Sequence, residues 1–286
     1  LITGACGLLG KALSAEAARQ GLPAFPFRRE ELDITDPGAV HAALHRTRPD
    51  VVFNCAAFSN VDRAEAEPAL ALAVNRDGAR NVAEAAAGAG AVMVHLSTDY
   101  VFDGRKAEPY RPSDPPAPLS QYGRSKLAGE EAVRESGAEH LVVRTSWLFG
   151  EGSKGFVNFV RHALALGAAS GPVRVVSDET SRPTWIGDLA PALLELVGKG
   201  GRGCLHLANG GSCTRLELAL EIRAALSEPG APPPPPGSFP ELLPVDSRSF
   251  GAPARRPLYS VLDLTDAERV LGRPMVPWRT SLRRFL

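Results

Sequence analysis

The sequence predicts an α/β fold: a doubly wound parallel sheet with helices on both faces, followed by a smaller C-terminal α/β portion. Three observations predict it. Up to residue 150, short apolar runs alternate with longer segments of helical period. The runs are apolar on most successive positions rather than alternately, as strands are when both faces of a parallel sheet are covered by crossover helices. Three glycines also separate the first strand from the first helix.

The elements follow in order. "LITG" reads as the first strand, and "LLGKALSAEAARQG" as a helix ending at Gly21. "PAFPF" is the second strand. "PGAVHAALHRTRP" is a helix with Pro37 at its start and Pro49 just past its end, where each residue is tolerated. "DVVFNCA" is the third strand, "PALALAVNRDGARNVAEAAAGAG" one long helix and "AVMVHLS" the fourth strand. "SQYGRSKLAGEEAVRESG" is a helix capped by Ser120, and "HLVVRTS" the fifth strand. The pattern then loosens through "GFVNFVRHALALG", "VRVVSD", "GDLAPALLELVGKG", "CLHLANG" and "TRLELALEIRAALS". The tract "PGAPPPPPGS" reads as an extended surface loop, since proline suits neither a helix interior nor a central strand. The expected division is a nucleotide-binding domain over 1–150, rejoined around 170–207, with 151–286 mainly binding substrate.

Lys plus Arg and Asp plus Glu are equal at 32 each, which argues against broad, non-specific nucleic-acid binding, since that relies on a basic surface. No apolar run approaches the roughly 18 residues of a membrane span. The four cysteines form no paired motif and the six histidines are scattered. Reduced thiols in a cytoplasmic protein are expected, without a Cys/His metal site. No signal peptide is recognisable. "LITG" is short for a strand, which normally has about 5 residues, so the first strand is expected to begin before Leu1.

"TGACGLLG" places Gly4, Gly7 and Gly10 between strand and helix. Glycines there let the backbone turn and approach a pyrophosphate, and the helix start adds N–H groups and a positive dipole end. A tight turn alone would explain the glycines, and the spacing is GxxGxxG rather than GxGxxG. The strand–helix context on both sides favours a Rossmann-type dinucleotide site. Arg28 and Arg29 follow the second strand, where an arginine suits a 2′-phosphate and an acid suits a 2′-hydroxyl. NADPH is therefore expected ahead of NADH, with Glu30 and Glu31 one step later as the counterargument. Asp33 and Ile34 would flank the adenine, unless Asp33 only turns the chain into the next helix.

Tyr122 and Lys126 lie four apart on a predicted helix and so share a face. A phenol near pKa 10 exchanges protons poorly at neutral pH, and a neighbouring ammonium would lower it. Thr98, at the mouth of the fourth strand, could bind the same carbonyl oxygen. After a glycine loop and a fourth parallel strand, this trio suits hydride reduction of a ketone. Alone, Tyr-x-x-x-Lys would be a solvated helix face.

In these motifs the chain resembles the dTDP-4-dehydrorhamnose reductases of the extended short-chain dehydrogenase/reductase family. "DVVFNCAAFSNVDRAEAEPALALAVN", "STDYVFDG", "PLSQYGRSKLAGE", "VVRTSWLFG", "RPTWIGDLA" and "RRPLYSVLD" carry the resemblance along nearly the whole length. It implies reduction of a 4-keto dTDP-sugar to dTDP-L-rhamnose by NAD(P)H. Catalytic roles would fall on Thr98, Tyr122 and Lys126. Cofactor contacts would fall on Gly7, Leu8, Leu9, Asp33, Ile34, Ala57, Phe58, Ser59, Tyr122 and Lys126, and substrate contacts on Thr98, Asp99 and Trp147. The resemblance leaves a homodimer open, and magnesium at a dimer contact, as some members use; the sequence locates no such site. "SDETSRPT" departs from the family pattern, with Glu179 for Gln and Ser181 for Gly.

Trp147 suits packing against a sugar face, with a core tryptophan as the alternative. Arg182 and Arg256 are candidate pyrophosphate clamps, with solvated arginines as the alternative for each. Two other functions remain. One is a sugar-nucleotide dehydratase or epimerase; a dehydratase would, by the same resemblance, carry Asp-Glu after the Thr, but position 100 is Tyr. A non-catalytic regulatory subunit resembling that of methionine adenosyltransferase would bind nucleotide without turnover.

Overall fold

The computed structural model describes residues 1–227 and 239–286. The expected surface loop from Pro229 to Ser238 lies outside the described residues. The first half alternates as the apolar runs require. β1 (Ile2–Thr3) leads through the glycine loop into α1 (Leu8–Arg19). The expected second strand is reduced to one rung. Ile2 N–H bonds Phe25 O, Phe27 N–H bonds Ile2 O, and Ile2 bridges Pro26. Pro23 and Pro26 supply no N–H, which limits the ladder there.

Asp36 caps α2 (Pro37–Thr47) by accepting from the Gly38 and Ala39 N–H groups, and β2 (Val51–Asn54) follows. After α3 (Val61–Ala66), the expected single long helix is interrupted. α4 (Pro68–Leu72) passes into a π-helical segment, Ala73–Gly78, and then α5 (Ala79–Ala89). The wide turn presents Asn75, whose side chain accepts from Phe58 N–H (2.8 Å) and donates to Phe58 O (3.1 Å) and Ser125 Oγ (2.9 Å). Such segments recur at functional sites. β3 (Val92–Thr98), α6 (Gln121–Glu135) and β4 (His140–Thr145) complete this half.

The second half contains β5 (Leu148–Phe149), α7 (Phe156–Leu166), β6 (Val173–Val176), β7 (Thr180–Ser181), β8 (Thr184–Trp185) and α8 (Ile186–Gly198). Then come β9 (Gly203–His206), β10 (Cys213–Thr214), α9 (Arg215–Ala225), β11 (Leu242–Val245), α10 (Ser247–Phe250), α11 (Thr265–Leu271) and α12 (Trp278–Phe285). The central sheet runs β1-β2-β3-β4-β9, all parallel. The chain re-enters it through α8, which packs on α1, and β9. The run "VRVVSD" does not join it: β6 pairs in parallel with β11 instead.

Alternate strand residues feed opposite sides of the sheet, as the two-residue period demands. Phe53, Val94 and Leu141 join one cluster with Leu13 and Leu193. Val52, Met93 and Val142 join the other with Val40, Leu44 and Ala83. A third cluster around Val160, Leu164, Leu218 and Trp278 belongs to the second half. All four cysteines are free thiols. Among the described residues, no helix is long and apolar enough to cross a membrane.

Candidate active site

The glycine loop has the shape a pyrophosphate cradle needs. Gly4 has φ +64°, and a Cβ there would sit 2.6 Å from Ala56 N, so the turn excludes side chains. Gly7 is exposed and caps α1 with no side-chain bond, leaving the helix start at Leu8 and Leu9 without a protein cap. Gly10 backs directly onto Gly4 O. Beyond the first strand, Arg28 is exposed, and its backbone N–H bonds Glu31 Oε2 at 2.8 Å. That contact ties the Glu31 carboxylate back to the turn. Arg29 pairs with Asp33 at 3.4 Å. Asp33 also accepts from the Thr35 backbone N–H and hydroxyl, and these bonds hold its carboxyl below the usual range. Ile34 is buried against Gly78, while Ala57 and Ser59 are exposed just past β2. Phe58, between them, lies under the Arg63 guanidinium.

The start of α6 is set by Ser120, whose Oγ accepts from Gly123 N–H at 3.1 Å. Gly123 admits a close approach, since a Cβ there would lie 2.3 Å from Tyr100 O. The first turn is thereby pressed on the mouth of β3. Tyr122 meets the Tyr100 ring edge-on at 6.1 Å. Thr98 Oγ1 donates to Asp99 Oδ1 and accepts from Tyr100 N–H, both at 3.1 Å. Lys126 is buried, and its Nζ donates to Leu96 O at 2.6 Å. Burial lowers its pKa to about 8 against the upward pull of Glu130 and Cys55.

Burial also raises the Tyr122 phenol. Thr98 draws it back by hydrogen bonding, while Asp99 pushes it further up. The expected lowering by Lys126 is therefore not what the structure shows. The ammonium is held by a backbone carbonyl, and the charge acting on the phenol is that of Asp99. One turn beyond Lys126, Glu130 is fully buried. It accepts from Ser97 (2.5 Å), twice from Arg144 (2.9 and 2.7 Å) and from Arg134 (2.7 Å). This network ties α6 to β3 and β4 directly beneath Thr98.

The second half supplies a cleft of about 1430 Å³ lined by Phe156, Arg174, Glu179, Arg215, Phe250 and Arg256, among others. Thr98, Tyr122 and Lys126 are not among its lining residues. Contact passes through Arg215, whose Nη2 bonds Tyr100 OH at 3.4 Å. Arg215 also pairs with Glu179 at 2.8 Å and stacks 4.1 Å from the Trp147 ring centroid. Trp147 has φ +43°, a left-handed conformation costing a non-glycine residue of order 1–3 kcal/mol, and its Nε1 is buried without a hydrogen bond among the described residues.

Arg256 lines the cleft and pairs with Asp62 at 2.9 Å. Arg182, the other expected clamp, faces elsewhere. Its guanidinium donates to Leu262 O and Gly211 O, so it staples loops rather than lining the cleft. Asp99 is buried, and its Oδ2 accepts from Ser181 and Ser260. The two departures from the family pattern thus have partners: Glu179 holds Arg215, and Ser181 holds Asp99. Sequence reasoning missed Arg215 and Ser260. Arg215 reads locally as an ordinary first-turn arginine, and nothing near Ser260 points to a residue 161 positions away. Among the described residues, no group of three or more His, Cys, Asp or Glu gathers as metal ligands.

The whole chain, residues 1–286, matches the family described as RmlD substrate binding domain. It is 43% identical to a dTDP-4-dehydrorhamnose reductase of Mycobacterium tuberculosis, over 100% of this chain and 91% of that protein. It is 42% identical to one of Streptomyces griseus, over 99% and 91%. The crystal structure of dTDP-4-dehydrorhamnose reductase from Bacillus anthracis in complex with NADP superposes with a TM-score of 0.91 at 37% identity, covering 99% of this chain and 96% of that one. A glycine cradle before α1, Tyr122 and Lys126 one turn apart at the mouth of β3, and this similarity along the full length lead to one assignment: the chain belongs to the dTDP-4-dehydrorhamnose reductase family of oxidoreductases.

Proposed function

We propose that this protein reduces the 4-keto group of dTDP-4-dehydro-L-rhamnose to dTDP-L-rhamnose with NADPH. The observation that carries the reading is the joint placement of Thr98, Tyr122 and Lys126 at the C-terminal edge of the parallel sheet, where α/β folds bind ligands. The residues of the loop fit a dinucleotide: a glycine turn closed to side chains, an α1 start without a protein cap, and Arg28 exposed beyond the first strand. A bound reduced nicotinamide supplies the hydride.

The chain's own residues do the rest. Tyr122, kept protonated by burial, donates its phenolic proton to the developing alkoxide at O4. Thr98 holds the same oxygen. Lys126, an ammonium at neutral pH, turns from Leu96 O toward the cofactor ribose and stabilises the tyrosinate once the proton has left. Arg256 and Arg215 face a pyrophosphate from the cleft, and the unpartnered Trp147 N–H supports a sugar contact. The purified protein should consume NADPH on addition of the keto sugar and yield dTDP-L-rhamnose by mass spectrometry and NMR. Tight NADPH binding with no turnover would instead support the non-catalytic reading.

A further inference from the structure

Asp99 follows Thr98 directly and is only 2% exposed, yet its two oxygens keep different company. Oδ2 accepts from two hydroxyls brought by separate segments, Ser181 Oγ on β7 at 3.0 Å and Ser260 Oγ at 2.5 Å. Both serines are buried. Oδ1 accepts from Thr98 Oγ1 alone among the described residues, at 3.1 Å. Thr98 has one proton to give and two lone pairs to offer. One lone pair already accepts Tyr100 N–H. An ionised Asp99 can only accept, so it claims the single Thr98 proton, and the hydroxyl then has none for a ketone oxygen. A neutral Asp99 reverses the bond. Oδ2 already holds two donors and is the poorer place for a proton. Oδ1 takes it and, once the Tyr122 phenol that also bonds Thr98 turns to the ketone, donates to the second lone pair of Thr98, whose own proton is then free to point away.

We propose that Asp99 is a positioning residue that aims the Thr98 hydroxyl. Ionised, it holds the hydroxyl proton to itself; protonated, it turns that proton toward the carbonyl oxygen beside Tyr122. Ser181 and Ser260 decide that Oδ1 is the oxygen that titrates. The inference rests on the reductase reading above and concerns the same site. Burial raises the Asp99 carboxyl to about 6, against the pull of Ser260, Ser181, Thr98 and the Arg215 charge, so the switch lies within reach of working pH. The titratable and charged groups around it are Tyr100, Tyr122 on α6 and Arg215 on α9, with Glu179 and Arg256 acting on Tyr100. Tyr122 stays protonated across this range, and Lys126 titrates near 8, so neither reproduces a transition near 6.

The test compares two titrations of the same protein from about pH 5 to about pH 8. One is kcat and KM for the keto sugar at saturating NADPH; the other is the ¹³C shift of the Asp99 carboxyl, assigned by its loss in Asp99→Asn. The expected result is that kcat rises as pH falls through about 6, with the same midpoint as the carboxyl. Ser260→Ala and Ser181→Ala each remove a bond that favours the anion. They should move both midpoints together to higher pH by about one unit. Asp99→Asn should flatten this limb. A kcat that ignores the carboxyl titration, or that falls as Asp99 takes up its proton, overturns the aiming role while leaving reductase activity in place. Absence of turnover at every pH overturns the reductase reading and this role with it. Should the serine variants fail to fold, coincidence or mismatch of the two midpoints in the native protein still decides.

Discussion

Glu130→Gln tests whether the site depends on the ion pair beneath α6. The side chain is fully buried and bonded bidentately to Arg144, itself 2% exposed, so the substitution keeps shape and removes charge. An NH₂ group would then face the Arg144 and Arg134 nitrogens now 2.7 Å from Oε2. Breaking a buried pair from one side costs about 3–5 kcal/mol, because the partner's charge is left uncompensated. With an unfolding entropy of about 600 cal/mol/K for a chain of this length, Tm should fall by about 5–8 °C. Turnover should fall too, since the weakened pair is what ties α6, which carries Tyr122 and Lys126, to β4.

Arg144→Met should cost less, because the exposed Arg134 still pairs with Glu130. The double variant Glu130→Gln, Arg144→Met should recover part of the loss, since it no longer leaves the Arg144 charge buried without a partner. Burial pushes the Glu130 carboxyl up, but Arg144, Ser97 and Arg134 more than offset it, so its folded pKa lies below the unfolded one. Its contribution is present above about pH 4.3 and is lost as pH falls toward the folded value. The gap between native and variant proteins should narrow in acid. Thermal denaturation across pH reads all of this. A loss under about 1 kcal/mol at neutral pH, or a double variant as poor as the summed singles, would refute the reasoning.

Three further outcomes are expected. Tyr122→Phe should lower kcat by about 10²–10⁴-fold with NADPH affinity nearly intact; more than a tenth of native turnover in single-turnover kinetics would displace Tyr122 as the proton donor. Turnover should decline as pH rises through about 8, where Lys126 loses its proton, and Lys126→Met should lack that limb and bind NADPH more weakly; a limb that persists in the variant would assign it to another group. Replacing both Arg28 and Arg29 by Ala should weaken NADPH by about tenfold and spare NADH, the worth of one charge-assisted bond to the 2′-phosphate, and the native preference should fade at high salt because Arg28 is exposed. Parallel titrations with the two cofactors read this, and equal affinities in the native protein would refute it.

The sequence by itself determined the sheet and most of its helices, and it named Thr98, Tyr122 and Lys126, which the fold brings to one edge of the sheet. Fully apolar strands have one way to bury both faces, and Pro37, Ser120 and the loop glycines act through local geometry that a linear reading captures. Local rules failed where distant chain segments decided. The run "PAFPF" is apolar, yet its prolines leave a single rung against Ile2. The long helix after Pro68 widens into a π segment around Asn75, which meets Phe58 and Ser125. Arg182 and Arg256 look alike in sequence, each before a proline, but one guanidinium is taken up by two backbone carbonyls and the other opens on the cleft. Lys126 sits one turn from Tyr122 as the spacing requires, yet the charge on the phenol comes from Asp99. Ser181 and Ser260 reach that carboxylate from 82 and 161 residues away, because only the folded chain brings together groups with no periodicity between them.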